Sequence, residues 1–308
     1  MQFVKNDIMN PPLVSVIIPV YNTQQYIQQT IQSVLDQTVK DIELIVMNDG
    51  STDSSEKLIL EMQQTDNRIR YQYKPNSGVS DTRNKGIALS NAKYLAFLDA
   101  DDLWLPDNLE KKIRAMETSG RRWTFSNLEY IDENSKPLTV PLKNFRPFNI
   151  LENLLLFEGD VVPGPCSNIV ATRELFGEDI RFDTKISSPA DRDICMQLAA
   201  KAEPFFLDER LWLYRLHSQS MTSVNHKVVD EVIYLYKKAD QNKWFAKRSV
   251  RSKALSNVNL MLAGISHHFP QQRKRTAGFV VKAIWYSPVN VWRKKVLPML
   301  AGSKNKKS

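Results

Sequence analysis

The first hundred residues alternate between strand-like runs and helix-like patterns, and no other feature constrains the fold as strongly. Leu13–Val20 and Ile42–Met47 are stretches rich in Val and Ile, as expected of strands buried on both faces. Between them, Thr23–Gln37 carries Ile27, Ile31, Val34 and Leu35 at helical spacing, with Asn22 or Thr23 as its expected N-cap. Ser51–Met62 reads as a second helix, capped by Ser51 or Thr52, with Leu58, Ile59 and Met62 inward. Arg68–Tyr73 and Tyr94–Leu98 read as further strands, with a helix over Val79–Leu89 between them. Such alternation predicts an α/β fold with a mostly parallel sheet covered on both faces. Ligands on these sheets sit at the carboxyl ends of the strands, so the residues that follow each strand carry the functional question.

The remainder is mixed. Arg122–Tyr130 and Ile169–Ala171 look like strands, and Phe148–Phe157 and Ala190–Lys201 like helices. Beyond His217 the chain turns helical and basic without a turn-rich linker. There are no internal repeats, and the terminal Lys-rich residues are expected to be disordered. A length of 308 residues fits one large domain or two, at about 150 residues each.

With 42% hydrophobic and 25% charged residues, the composition is that of a globular protein and excludes disorder and collagen-like repeats. Cys166 and Cys195 form no CxxC pair, which removes thiolate zinc sites and disulfide scaffolds. No run approaches the roughly 18 apolar residues of a spanning helix. The short run Val14–Val20 contains Pro19 and no small-residue cleavage site, so it reads as a strand rather than a signal peptide. The expected location is cytoplasmic.

Four polar clusters fall at strand ends. They are Tyr21-Asn22, Asn48-Asp49-Gly50-Ser51, the stretch from Lys74 to Gly86, and Asp99-Ala100-Asp101-Asp102. An aromatic ring, carboxylates and an arginine on one rim suit an activated nucleotide. Tyr21 can stack on a base, and Asp49 can accept from a ring N–H or a ribose hydroxyl. Asp99, Asp101 and Asp102 repel one another unless a cation lies among them, and a hard divalent ion shared with substrate phosphates relieves that repulsion. Alone, the same residues could be a solvated N-cap turn before the helix that follows Trp104-Leu105-Pro106. Their place beside Asp49 favours a site.

Taken together, Val14–Val20 with Tyr21-Asn22, Glu43–Met47 with Asn48-Asp49-Gly50-Ser51-Thr52-Asp53, Arg83-Asn84-Lys85-Gly86, and Phe97-Leu98-Asp99-Ala100-Asp101-Asp102 resemble the family 2 glycosyltransferases. The resemblance covers roughly residues 12–217. It implies a GT-A fold, with a Rossmann-like sheet flanked by helices. It further implies inverting transfer of sugar from a nucleoside diphosphate donor, usually UDP-linked, with Mn²⁺ or Mg²⁺. By the family pattern, Pro19 and Tyr21 line the base pocket and Asp49 meets the uracil ring. Arg83 lies near the base and diphosphate, Asp99 meets the ribose, and Asp101 takes the metal with Asp102 in support. The implied organisation is an N-terminal arm over 1–11, a catalytic domain over 12–220 divided near 105, and a basic helical region over 221–308.

Inversion also needs a carboxylate to take the proton from the attacking hydroxyl. The candidate stretch is Ser188-Pro189-Ala190-Asp191-Arg192-Asp193, opening a helix with Ile194, Leu198 and Ala199 inward. The family usually has Glu-Asp where this chain has Ala190-Asp191. Asp191 matches the position credited as base, an N-cap role is its alternative, and Asp193 is the fallback. His217, in Tyr214-Arg215-Leu216-His217-Ser218-Gln219-Ser220, resembles a feature near the donor diphosphate or metal, or is structural. Trp104 is expected under the acidic loop. Val162–Asn168 matches the stretch that lines the acceptor cavity, with Cys166 read as packing.

The net charge of +8 hides two different regions. Residues 1–220 hold 24 Lys and Arg against 31 Asp and Glu, a balance of −7, while residues 221–308 hold 18 against 3, a balance of +15. Residues 278–301 carry two apolar stripes, Phe279, Val280, Ile284 and Trp285, then Val289, Trp292, Val296 and Leu300. Arg293, Lys294 and Lys295 take the polar side. Tryptophan with unopposed basic residues fits an interfacial membrane helix, where acidic lipid favours each cation by about 1 kcal/mol. Packing on the catalytic domain is the alternative. Nucleic-acid binding is not expected, since no reading motif accompanies the charge. The function expected is transfer from a UDP-sugar to a glycan or lipid-linked acceptor in surface polysaccharide synthesis. A non-catalytic sugar-nucleotide or membrane-binding subunit and a metal-dependent nucleotidyltransferase are the alternatives.

Overall fold

The computed structural model describes residues 11–140, 148–157, 161–177, 179–217 and 227–296. Most of the expected N-terminal arm (1–11), Ser218–Ser220, Leu300 and the terminal Lys-rich residues lie outside these, as do the side chains of Lys295 and Val296. The chain forms two compact units. The first comprises Met1–Leu142, Val162–Thr184 and Gln197–Ser220; the second comprises Lys143–Val161, Lys185–Met196 and Met221–Ser308. The second unit thus joins the segments around 150 and 190 to the C-terminal helices.

The first unit is built on one sheet. Its strands are β1 (Val14–Val20), β2 (Ile42–Asp49), β3 (Ile69–Lys74), β4 (Tyr94–Phe97), β5 (Leu103–Trp104), β6 (Trp123–Ile131), β7 (Pro137–Leu138), β8 (Val170–Thr172) and β9 (Phe205–Arg215). The order is β3-β2-β1-β4-β8-β6-β9-β5, with β7 on β6. Strands β3, β2, β1 and β4 pair in parallel, and so do β6 and β9. Short antiparallel ladders join β4 to β8 and β8 to β6. β1 and β2 are buried almost throughout, which is why they read as unbroken apolar runs rather than alternating ones.

Helices α1 (Ile27–Leu35), α2 (Ser55–Gln63), α3 (Val79–Leu89), α4 (Asn108–Ser119) and the single turn α6 (Pro165–Asn168) cover this sheet, and α5 (Ile150–Leu156) belongs to the second unit. The chain goes from β1 outward to β3, then returns through α3 to β4 on the other side of β1. That reversal places a crevice at the carboxyl ends of β1 and β4. Gly86 lets α3 sit close on the sheet, since a Cβ there would fall 2.5 Å from the Ile17 Cγ2.

α1 and α2 begin later than the sequence suggests. The Asn22 and Ser51 side chains do not cap those helices; with Asp53 they lace together the loops leaving β1 and β2, and the Asp53 Oδ1 also accepts from the Ser55 N–H (2.9 Å) at the start of α2. The Asn22 N–H donates to the Ser51 Oγ (3.1 Å), the Thr52 N–H to the Asn22 Oδ1 (2.8 Å), and the Gln24 N–H to the Asp53 Oδ2 (3.0 Å). Strand β9 was not legible, because Asp208, Glu209 and Arg210 lie exposed in its middle and interrupt the apolar pattern.

The second unit is helical: α5, the start of α7 (Ala190–Lys201), α8 (Val228–Gln241), α9 (Arg248–His268), α10 (Thr276–Tyr286) and α11 (Pro288–Val291). Its helices share polar ties. The Tyr236 hydroxyl donates to the Leu155 carbonyl (2.5 Å), the Asn257 Nδ2 to the Leu156 carbonyl (2.7 Å), and the Arg192 Nη1 to the Leu154 carbonyl (2.7 Å).

Candidate active site

The parallel register sets Val20 opposite Asn48 and Ile17 opposite Phe97, so the polar clusters after β1, β2 and β4 share one rim. Tyr21 projects there with half its surface exposed, and Pro19 is half-buried beside it. Gly50 takes a φ of +73°, and a Cβ on it would lie 2.8 Å from the Asn76 nitrogen, so the loops after β2 and β3 meet at a glycine.

Asp49 is buried at the end of β2. Its Oδ1 accepts from the Ser77 N–H (2.8 Å) and from the Lys74 ammonium, and its Oδ2 from the Gly78 N–H (3.0 Å). Three of about four acceptor positions on the carboxylate are thus engaged. Lys74, also buried, reaches the Ser77 Oγ (2.5 Å) and the Asp81 Oδ2 (3.4 Å). Hydrogen bonding by Ser77, with Lys85 and Lys74 adding, pulls the Asp81 carboxyl down to about 2. Lys74 stood in the sequence as the first residue of the third strand-end cluster, without a role of its own.

Arg83 comes from α3. It is a buried side chain whose Nη2 lies 2.6 Å from the Asp99 Oδ1, with the guanidinium 5.2 Å from the Phe182 ring centroid. Arg83 is thus an enclosed residue of α3 rather than an exposed one. Two residues on, the Asp101 Oδ2 lies 2.9 Å from the His217 Nε2. The acidic loop and the exit of β9, remote in sequence, are thereby brought together.

Asp102 faces the other way. Its Oδ1 accepts from the Arg215 N–H (2.9 Å), and its Oδ2 takes the Ser167 Oγ (2.5 Å) in a fully enclosed position. Burial, then the neighbouring Asp101 and Asp99 charges, push its carboxyl well above the usual carboxylate range. Asp102 holds the loop from behind instead of facing the rim. Trp104 lies buried beneath, donating from Nε1 to the Ser167 carbonyl (2.8 Å). The Thr30 hydroxyl on α1 reaches the Ala100 and Asp102 carbonyls, each at 3.0 Å.

Arg215 is the residue that sequence reasoning missed most clearly. Although fully buried, it donates from Nε to the Asp101 carbonyl (2.7 Å), from Nη1 to the Ser135 Oγ (2.9 Å) and from Nη2 to the Gln29 Oε1 (3.1 Å). Its guanidinium lies 4.7 Å from the Tyr26 ring centroid, and that ring packs at 4.8 Å on His217.

Asp191 belongs to the second unit. It is half-buried inside the first turn of α7, so it is a helical residue rather than a cap. Ile194 and Leu198 are buried as expected, while Ala199 is only partly so. Asp193 is fully buried, with Oδ2 2.7 Å from the Lys238 Nζ. Cys166 and Cys195 are buried thiols outside any disulfide.

A family model described as Glycosyl transferase family 2 matches residues 15–176. An uncharacterized glycosyltransferase of Rickettsia bellii is 31% identical over 260 residues, covering 84% of this chain and 36% of the relative. This chain thus spans about a third of that relative's length. A putative teichuronic acid biosynthesis glycosyltransferase of Bacillus subtilis, TuaG, is 29% identical over 235 residues, covering 75% of this chain and 89% of the relative. Among solved structures, S. aureus TarS with UDP-GlcNAc aligns at a TM-score of 0.57 and 17% identity, over 92% of this chain and 76% of that one. The mannosyltransferase PcManGT of Pyrobaculum calidifontis, with GDP-Man and Mn²⁺, aligns at 0.56 and 14%, over 93% and 89%. At these identities the likeness is one of fold, and the fold is GT-A. With a family match over more than half its length and strand-end clusters in the family's order, the chain belongs to glycosyl transferase family 2.

Proposed function

We propose that this chain is an inverting, metal-dependent glycosyltransferase that moves a sugar from a UDP-sugar to a hydroxyl of a glycan or lipid-linked acceptor. The setting is surface polysaccharide synthesis at the cytoplasmic face of a membrane. The observation that carries this reading is the 2.9 Å approach of Asp101 and His217, beside the Arg83–Asp99 pair on the carboxyl rim. The relatives support it: TuaG is named for teichuronic acid biosynthesis, and the TarS structure carries UDP-GlcNAc.

The rim divides by chemistry. Tyr21 and Pro19 flank the base, and the remaining acceptor position of Asp49 suits one ring N–H. Asp99 is placed to meet a ribose hydroxyl and the Arg83 guanidinium to meet the diphosphate. Asp101 and His217 suit a shared divalent ion as an oxygen and an imidazole ligand. Among the described residues no three His, Cys, Asp or Glu side chains gather to hold a metal. One or two carboxylates plus substrate phosphates commonly hold Mg²⁺, so Asp101 fits that role, with the His217 imidazole as a nitrogen donor beside it. A bound Mn²⁺ or Mg²⁺ supplies Lewis-acid stabilisation of the negative charge on the departing diphosphate.

On the acceptor side, Asp191 takes the proton of the attacking hydroxyl. The hydroxyl oxygen bonds to the anomeric carbon opposite the diphosphate, UDP departs with the bonding pair, and the configuration inverts. Asp193, the fallback base, is committed to Lys238. Ala190 is buried, where a carboxylate would need a partner of its own.

Calorimetric titration of UDP with and without Mn²⁺, alongside Asp101→Ala, tests the donor half. Metal-dependent binding that the substitution abolishes is expected. Absence of UDP binding by the folded protein would overturn the assignment.

A further inference from the structure

We propose that α10, α11 and the turn after them form a docking surface for an anionic lipid bilayer, with Trp285 and Trp292 as the inserted anchors. In the second unit, α10 turns Phe279 and Ala283 inward. The opposite side is apolar too: Ala277, Val280, Val281, Ile284 and Trp285 are exposed, and Lys282 is the single charged residue of the helix. Trp285 is 77% exposed and Val281 65%. A helix that is apolar all round belongs inside protein or in lipid, not in water. Pro288 begins α11, which extends the patch through Val289, 60% exposed, to Trp292, 50% exposed.

The charge around the patch selects its occupant. After Asp240 the chain has no acidic residue. Arg273 and Lys274 before α10, Lys282 within it, and Arg293 and Lys294 after α11 are all exposed. Indoles and aliphatic side chains fringed by exposed cations match the boundary between acyl chains and acidic headgroups. A second copy of this surface would set cation against cation. At 11 residues α10 is too short to span, so the helices lie in the plane of the interface.

The patch is held on a fixed scaffold. The Asn290 Nδ2 donates to the Asn257 Oδ1 (2.8 Å) and the Ser256 Oγ (3.0 Å), tying α11 to α9. Arg275 pairs with Asp230 of α8 at 2.8 Å and lies over the Phe279 ring, securing the start of α10.

The test is co-flotation of the full chain with phosphatidylcholine vesicles, with and without phosphatidylglycerol, across a salt series. It needs no nucleotide, so it stands or falls apart from the donor reading. The chain is expected to float with the anionic vesicles at low salt, to be released as salt rises, and to ignore phosphatidylcholine alone. Trp285→Ser with Trp292→Ser should lower partitioning at least about tenfold while leaving circular dichroism and UDP affinity unchanged. Arg293→Gln with Lys294→Gln should weaken low-salt binding and flatten the salt dependence. The proposal is overturned if the wild-type chain fails to float or if the tryptophan variant floats undiminished. A Trp285-dependent dimer in sedimentation, or a nucleic acid that displaces the vesicles, would overturn it equally.

Discussion

The carboxylate of Asp193 is fully enclosed against the ammonium of Lys238, 2.7 Å away, and this ion pair ties α7 to α8. Removing one partner of a buried pair strands the other charge, which costs about 3–5 kcal/mol. Lys238→Met is therefore expected to lower the unfolding free energy by about that amount. Adding Asp193→Asn should restore much of it, because the stranded charge is gone. Urea unfolding of the single and double variants measures both values, and a double variant no more stable than Lys238→Met would refute the pairing.

The same ion pair sharpens the prediction for the base. Asp191→Asn is expected to cut turnover by about 10²–10⁴-fold while UDP affinity stays within about twofold. Its fold should be intact, since Asp191 is half-buried and lies outside the Asp193–Lys238 pair. Full turnover by Asp191→Asn, with a panel of UDP-sugars and a working acceptor, would remove the residue from the mechanism.

What the sequence made legible was whatever depends on local pattern. α3 over Val79–Leu89 and α7 over Ala190–Lys201 have the bounds that periodicity suggests, and the strand-end clusters do share a rim. Long-range polar bonds have no such pattern. Asn22 looked like a cap because it precedes an apolar helical repeat, yet its side-chain amide oxygen accepts from the Thr52 N–H, 30 residues away. Arg215 spends its guanidinium on the Asp101 carbonyl, the Ser135 hydroxyl and the Gln29 amide, partners that carry no charge to flag a pairing. In the C-terminal helices the expected stripe splits, with Phe279 inward and Val280, Ile284 and Trp285 outward, because Ala283 shares the buried side.

Lys112 should give stability a pH dependence. Its Nζ is enclosed on α4 and donates to the Asn168 carbonyl (2.6 Å) and Oδ1 (3.0 Å), both uncharged acceptors, and burial pushes its pKa well below the usual range. Between that lowered value and about 10.4, its value when unfolded, the unfolded chain binds the extra proton. Stability contributed by this group therefore rises with pH across the window and is lost as pH falls. Lys112→Met should flatten the slope and cost about 1–3 kcal/mol through the donor lost to Asn168. Chemical denaturation from neutral pH to about pH 10 reads the slope, and equal slopes for both proteins would refute the account.

Arg215 is expected to act on the donor site through the acidic loop. It clamps the Asp101 carbonyl while its own N–H holds Asp102, so it sets where the Asp101 carboxylate stands relative to His217. A lysine keeps the charge but cannot reproduce the planar fork that reaches Gln29, Ser135 and the loop at once. Arg215→Lys should therefore lose about 1–3 kcal/mol of stability, the cost of leaving buried acceptors short of a donor. It should also weaken metal-dependent UDP binding by about tenfold or more, while metal-free UDP binding changes little. That split separates positioning of the loop from general damage. Equal losses with and without metal would mean that Arg215 merely supports the fold.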